Sequence, residues 1–397
     1  MAVQADVIAF DEAGSSAALG WLQQLHAQAA RDPPKELFSL FTSSATVLIV
    51  NQAKLFCHGA FSTEGGTTCI TCTIYLYYRS LHLLLLKGDA GAAEKPDAEF
   101  IDEVASSTSH QMGLLAACAE LVQFAATGKR SFPALTARLQ AMDSLMDLWH
   151  LLPYLQQAAT QVTEAPLPPV ADAYMGYMRL RIAEELAWMK GSPLYALLGA
   201  SDSVAEHASL HDSLLGGFLL AASQLAMTRA QTAANALADR IEELAIHATF
   251  VQDCISTVEA MMREHLDLLF EQHLSRLVAC CVYGTTRKHN VVVSIKRVNQ
   301  AVASVSPHLP PDALQSDSSG AALHDSKHLR NVRRLYNDRF LPRMRQHLQA
   351  NVQSGPSSSQ KPEVLKKVSR LPLHSLSAKD INIRRQENAS TKASAFR

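Results

Sequence analysis

Tyr283 and Arg287 stand one helical turn apart in HLSRLVACCVYGTTRK (His273–Lys288), and Tyr336, Asn337, Leu341 and Arg345 fall within LRNVRRLYNDRFLPRMRQHL (Leu329–Leu348). No nucleophile and base are paired in either stretch. What a phenol, a carboxamide, an apolar knob and guanidinium groups can do together is hold an extended peptide. The carboxamide both donates and accepts, phenols do either, and the cations attract acidic partners. Asn337, Leu341 and Arg345 repeat every four residues and so share a helix face, as do Tyr283 and Arg287. Periodicity by itself favours a plainer reading, two core helices with a basic edge.

Other chemistry is hard to find in the chain. It has no Gly-rich phosphate loop, no GxSxG elbow and no HExxH pair. Cys69 and Cys72 form a lone CxxC without a second pair, the minimum a zinc site would need. His207 and His211 are spaced i, i+4 beside Glu206, but in a polar stretch that reads as a solvated linker. Glu264, His265 and Glu271 read as solvated positions on charged helix faces. We therefore expect no catalytic residue, no metal and no cofactor. Seven cysteines, scattered or adjacent, do not suggest a disulfide framework and point to a reducing compartment.

The elements that must position these residues are helical. Of 397 residues 48% are apolar and 18% charged, a globular balance, and Leu and Ala far outnumber aromatics. The net charge of −1 conceals a basic last quarter. The start, MAVQADVIAFDEAG, lacks the basic and apolar regions of a secretory signal, and the greasy runs TVLIV and IYLYYRSLHLLLL are short or broken by Arg79 and His82, so no membrane span is expected. Helices are expected over Ser15–Ala30, then about 36–59, 70–87, 98–126 and 131–154, with Pro153 near the end of the last. Another passes through Trp188. Beyond a polar stretch, further helices are expected near 213–246, 249–271, 272–288 and 291–303, and one carries Tyr336. VVVSI (Val291–Ile295) has strand-like composition, but it follows a helix inside a helical array and is read as helix. The fold class is all-α, with residues 1–13 a disordered N-terminus, 14–200 and 213–350 two helical modules, 201–212 a spacer, and 351–397 a basic disordered tail.

HLSRLVACCVYGTTRK resembles the second cyclin-like box of the retinoblastoma pocket proteins, above all the plant and green-algal members, and LYNDRFLPRMR resembles a later helix of that box. WLQQL (Trp21–Leu25), IYLYYRSL (Ile74–Leu81), HQMGLLAACAELV (His110–Val122), SFPAL (Ser131–Leu135) and IAEELAWMKGSPLYALL (Ile182–Leu198) follow the family in order, and an INI step in the tail echoes it. The resemblance covers about residues 14–350. It implies two cyclin-like boxes, A and B, packed together, in a short divergent member lacking the N-terminal domain.

The family's B box binds Leu-x-Cys-x-Glu peptides. By resemblance Tyr283 and Tyr336 supply hydroxyls to the peptide, Asn337 bonds its backbone, and Leu341 and Ile295 are apolar groove positions. Arg287 and Arg345 replace rim lysines. Ile295 stands where an aromatic is usual, and Arg333 where the family has an apolar wall. Cys280 matches a buried core cysteine. The family's second surface holds the activation segment of E-two-F-class transcription factors, which act with a dimerisation partner. Here Met146, Pro153, Ala173, Gly176 and Arg179 occupy positions of acids and lysines in the A box, and Leu220 and Gln224 those of cations in the B box. Several charge-assisted hydrogen bonds are thereby lost, each worth about 1.5–3 kcal/mol. The resemblance implies a nuclear, non-enzymatic co-repressor of cell-cycle genes that recruits chromatin modifiers, answers to a cyclin-dependent kinase and makes no sequence-specific contact with nucleic acid. Only Ser192 and Ser306 precede proline in a kinase-type step. Ser192 reads as a helix cap, and Ser306, in an expected exposed loop, as the candidate phosphorylation site. Two rival readings remain: another cyclin-fold protein, either related to general transcription factors or a kinase activator, and an all-helical enzyme.

Overall fold

The computed structural model describes residues 12–31, 35–61, 66–87, 101, 104, 106–138, 141–163, 166–192, 194, 214–306 and 332–350. Among them the chain is all-α, with no strand. Leu214 apart, they separate into two compact units, one running to Ile182 and the other from Ala183 onward. The expected spacer 201–212 and the tail from 351, with its Lys366-Lys367 and Arg384-Arg385 pairs, lie outside the described residues, as does the His207, His211 and Glu206 group.

The first unit holds α1 (Glu12–Arg31), α2 (Ser43–Ala60), α3 (Gly66–Lys87), α4 (Thr108–Thr127), α5 (Leu145–Gln161) and most of α6 (Pro169–Glu184). Its axis is α4, in which every residue from Leu114 to Val122 is buried. A helix apolar on all sides must be covered on all sides, and α1, α2, α3 and α5 do this. Gly113 makes the closest approach possible. A Cβ there would lie 3.0 Å from the backbone N of Leu148 and 3.2 Å from Ser144 O. α3 is the one described helix long and apolar enough to cross a membrane, but Leu76, Tyr77, Leu81, Leu84 and Leu85 are buried in the unit.

Several helix boundaries differ from expectation; the helix expected over 131–154, for one, is divided into Ala134–Arg138, a short turn at Met142–Ser144 and α5. α1 begins at Glu12, three residues before the expected start at Ser15. Pro153 sits inside α5, which continues to Gln161. The apolar face continues past it through Leu155, Ala158 and Ala159, all buried. Burial of that face offsets the roughly 3 kcal/mol that a helical proline costs.

One buried carboxylate ties the SFPAL segment down. Glu120 accepts hydrogen bonds from the Thr136 N–H and hydroxyl (both 2.9 Å) and from the hydroxyls of Ser131 and Tyr174 (both 3.3 Å). The Phe132 N–H in turn donates to Tyr174 Oη at 3.2 Å. Burial raises the Glu120 carboxyl above its ordinary range, and these four donors partly offset the shift.

The second unit opens with Ala183–Trp188. The Trp188 indole N–H donates to Ala183 O at 2.7 Å, and its ring lies 5.8 Å from that of Phe218 on α7 (Leu214–Ala238). Next come α8 (Phe250–Glu264), α9 (Leu274–Lys288), α10 (Ile295–Ser304), a turn beginning at Val332, and α11 (Leu341–Ala350). Here α9 is the axis, buried at every position from Leu274 to Val282 and packed against α8, α10 and α11. The helix expected over 291–303 begins only at Ile295. Asn290 adopts φ 56°, which ends α9, and Val291–Ser294 then runs extended without pairing. Val291 and Val293 are buried while Val292 is 84% exposed, the alternation of an extended chain. Ser294 Oγ accepts the Arg297 N–H and caps α10.

A candidate peptide cleft on the second unit

His273 starts the site. It caps α9, its Nδ1 accepting the Ser275 N–H at 3.2 Å, which places the ring proton on Nε2, 3.5 Å from Glu184 Oε2. Glu184 also binds the buried guanidinium of Arg229, whose other arm donates to Ser275 Oγ at 2.8 Å. The start of α9 is thus fixed by a buried ionic group. Its far end is fixed by Asp253 on α8, which pairs with Lys288 Nζ at 2.9 Å and His289 Nε2 at 2.8 Å. Burial alone would raise the Asp253 carboxyl, but those two partners bring it below its ordinary value. Between these anchors Tyr283 projects half-buried, with Gly284 beside it.

The helix carrying Tyr336 is not a plain α-helix. After Val332–Arg334, Leu335–Phe340 forms a π turn, with the Leu341 N–H bonded to Tyr336 O. Such i→i+5 turns are short and often sit at functional sites. Tyr336 is 6% exposed and packs edge-on to Tyr283, ring centroids 4.9 Å apart at 83°, with Phe340 stacked behind it at 5.7 Å. Burial pushes the Tyr336 phenol up to about 12. Arg287 folds back over Tyr283. Its Nη2 and Nε donate to the phenol oxygen at 2.9 and 3.2 Å, and its Cζ lies 5.3 Å from the ring centre. The Tyr283 hydroxyl proton stays available for a ligand acceptor.

The structure therefore brings together Tyr283, Arg287 and Tyr336. Asn337 follows directly, exposed, and its carboxamide has no partner among the described residues. Leu341 is half-buried and Arg345 exposed on α11, Arg333 is exposed ahead of the π turn, and Ile295 is half-buried at the start of α10. Three participants escaped the spacing argument. A Cβ on Gly284 would meet Leu348 Cδ1 at 3.2 Å and Tyr336 Cε2 at 3.5 Å, so the glycine sets how closely α9 and α11 approach. Phe340 backs Tyr336. Leu348 closes the far side of that contact. The only sequence signal for any of them was a glycine in mid-helix, which is unfavourable unless something packs against it.

The other candidate positions are spread over both units. In the first, Met146 and Ala173 are half-buried and Pro153 and Gly176 exposed. The Arg179 guanidinium lies 4.7 Å over the Trp149 ring, and burial lowers its pKa. In the second, Leu220 and Gln224 are half-buried on α7. Ser306 differs from expectation. It is 2% exposed, not in an exposed loop, and its hydroxyl lies 3.2 Å from Ser275 Oγ, beside Arg229. α10 ends at Ser304 and the chain turns inward there, so the residue before Pro307 belongs to the core. Ser192 is buried and its Oγ accepts the Leu194 N–H at 3.3 Å, a local turn bond.

The cysteines of the CxxC and of α9 are packing groups. Cys72 donates to Leu22 O at 3.7 Å and Cys280 to Val332 O at 3.9 Å, and burial raises all of their thiols. No three His, Cys, Asp or Glu side chains among the described residues form a metal site. One arrangement has a nucleophile–base–acid order. Ser107 Oγ lies 2.6 Å from His110 Nδ1, and His110 Nε2 lies 3.4 Å from Asp147 Oδ1. Ser107 is the N-cap of α4, however, accepting the His110 N–H, and Ser109 also bonds Asp147. The group is the cap of a core helix.

Two axial helices, each sheathed by its neighbours, define an all-α protein, with an aromatic contact between Tyr283 and Tyr336 on the second unit. Residues 14–198 match the family model of the retinoblastoma-associated protein A domain. No curated protein matches the chain. The A-domain match supports a retinoblastoma-related pocket protein, a kind that is generally a transcriptional regulator.

Proposed function

We propose that the protein is an adaptor whose B-box cleft holds Leu-x-Cys-x-Glu segments of chromatin regulators, and that it restrains transcription of cell-cycle genes in the nucleus. The observation that supports this reading is the edge-on contact of half-buried Tyr283 with buried Tyr336, followed in the chain by the exposed, unpartnered Asn337 carboxamide. Asn337 can donate one backbone hydrogen bond and accept another, worth about 0.5–1.5 kcal/mol each. Exposed guanidinium groups at Arg287 and Arg345 favour an acidic ligand and speed its encounter.

Docking of E-two-F-class factors is diverged in this reading. Met146, Ala173 and Gly176 offer no charge, and Arg179 is drawn onto Trp149. A cyclin-dependent kinase would reach Ser306 only after local opening of the B box. An immobilised Leu-x-Cys-x-Glu peptide should retain the wild-type protein and lose Asn337→Phe, which removes the amide and blocks the ledge. Equal retention of both would refute the reading. Nanomolar binding of an E-two-F-class activation segment would refute the divergence.

A further inference from the structure

The π turn governs how the cleft residues line up. In an uninterrupted α-helix, positions spaced by four advance about 40° per step, so Asn337 and Arg345 would stand about 80° apart around the axis. One wider turn accommodates about one more residue and takes up much of that drift. Position 342 makes the wide turn the low-energy choice. In an α-helical register Pro342 would leave the Asp338 carbonyl without its N–H partner, and the proline ring would collide with that carbonyl. The bond from the Leu341 N–H to Tyr336 O widens the backbone immediately before the ring.

We infer that Pro342 is a positioning residue for peptide binding. By holding Leu335–Phe340 in the wide form it keeps Tyr336 edge-on to Tyr283, with Phe340 behind. It also sets Asn337, Leu341 and Arg345 in one row along which an extended peptide lies. Pro342 is itself exposed. The inference rests on the peptide-cleft reading for its functional half and on the Tyr283–Tyr336 contact for its structural half.

Pro342→Ala in the full chain restores an N–H and lets the helix close to the α register. Thermal stability should stay level or rise. Affinity for a fluorescein-labelled Leu-x-Cys-x-Glu peptide should fall at least ten-fold. Nuclear Overhauser effects between the Tyr283 and Tyr336 rings should weaken. A purely structural proline would move stability and affinity down together, and that result overturns the proposal, as does failure of the variant to fold. Unchanged affinity with unchanged Overhauser effects also overturns it. If the wild type binds no such peptide, the cleft reading falls, and the ring–ring Overhauser effects alone then decide whether Pro342 sets the geometry. Their persistence in Pro342→Ala refutes that role, and their disappearance supports it.

Discussion

Placing one methyl group at Gly284 tests whether α9 and α11 meet as described. Two opposing terms set the outcome. Alanine in a helix interior is better than glycine by about 0.8–1.0 kcal/mol. Against this, the new Cβ would lie 3.2 and 3.4 Å from the two Leu348 methyls, tighter than ordinary contact, and 3.5 Å from Tyr336 Cε2. Overpacking of this kind costs about 1–3 kcal/mol. Leu348 sits near the end of α11 and can yield only somewhat, which places the overpacking cost near the middle of that range, about 2 kcal/mol, or about 1 kcal/mol net of the helix gain. Gly284→Ala should therefore destabilise by about 1 kcal/mol in urea melts, and Gly284→Val by about 2–3 kcal/mol. Truncating the neighbour provides the control. In the double variant Gly284→Ala/Leu348→Ala the clash is gone and the helix gain appears, so the pair should couple favourably by about 1–2 kcal/mol. If Gly284→Ala alone stabilises the protein by the full helix increment, nothing packs on that glycine and the geometry given for Tyr336 is wrong.

Other outcomes follow from the buried polar groups. Arg229→Met strands Glu184 in the core and should cost about 3–5 kcal/mol, whereas Glu184→Leu with Arg229→Met should recover most of that loss in thermal melts. Ser306→Ala should cost only about 1 kcal/mol, while Ser306→Glu should unfold much of the second unit, and a proline-directed kinase should label native protein far more slowly than urea-loosened protein. Rapid labelling of native protein would contradict the burial of that hydroxyl. Asp253 is held below its ordinary value of 3.8, so its contribution is present above about pH 4 and disappears as pH falls through the depressed folded value. Asp253→Asn should flatten the acid limb of the stability curve. Glu120 acts in the other direction. Its raised folded value means that stability declines as pH climbs from the unfolded carboxylate range through the folded one, and Glu120→Gln should remove that decline.

Much of the fold was legible because burial leaves a mark on residue choice. The stretch that became α4 is apolar on nearly every side of the helical wheel, as an axial helix must be, and the one that became α9 carries a broad apolar stripe. Tyr283 and Arg287 were legible as a pair because four-residue spacing puts them on one face, and the structure has them in contact. Other features depend on neighbours distant in sequence. VVVSI became an extended connector because Asn290 turns the chain and Ser294 caps the next helix, choices that helical periodicity does not record. The π turn was hidden for the same reason, since Pro342 signals a local disturbance but does not say whether a kink or a wider turn absorbs it. Ser306 was misplaced because a Ser-Pro step before a Pro- and Ser-rich stretch reads as surface, while its burial comes from Ser275 and Arg229, which are 31 or more positions away.

The most direct test of the cleft is to follow the Asn337 side-chain amide and the Tyr283 ring by NMR while unlabelled Leu-x-Cys-x-Glu peptide is added. Both signals should shift along one saturating curve, with resonances of α1 to α5 unmoved. A peptide that saturates the protein while leaving Asn337 and Tyr283 unperturbed would contradict the assignment of this ledge as the binding cleft.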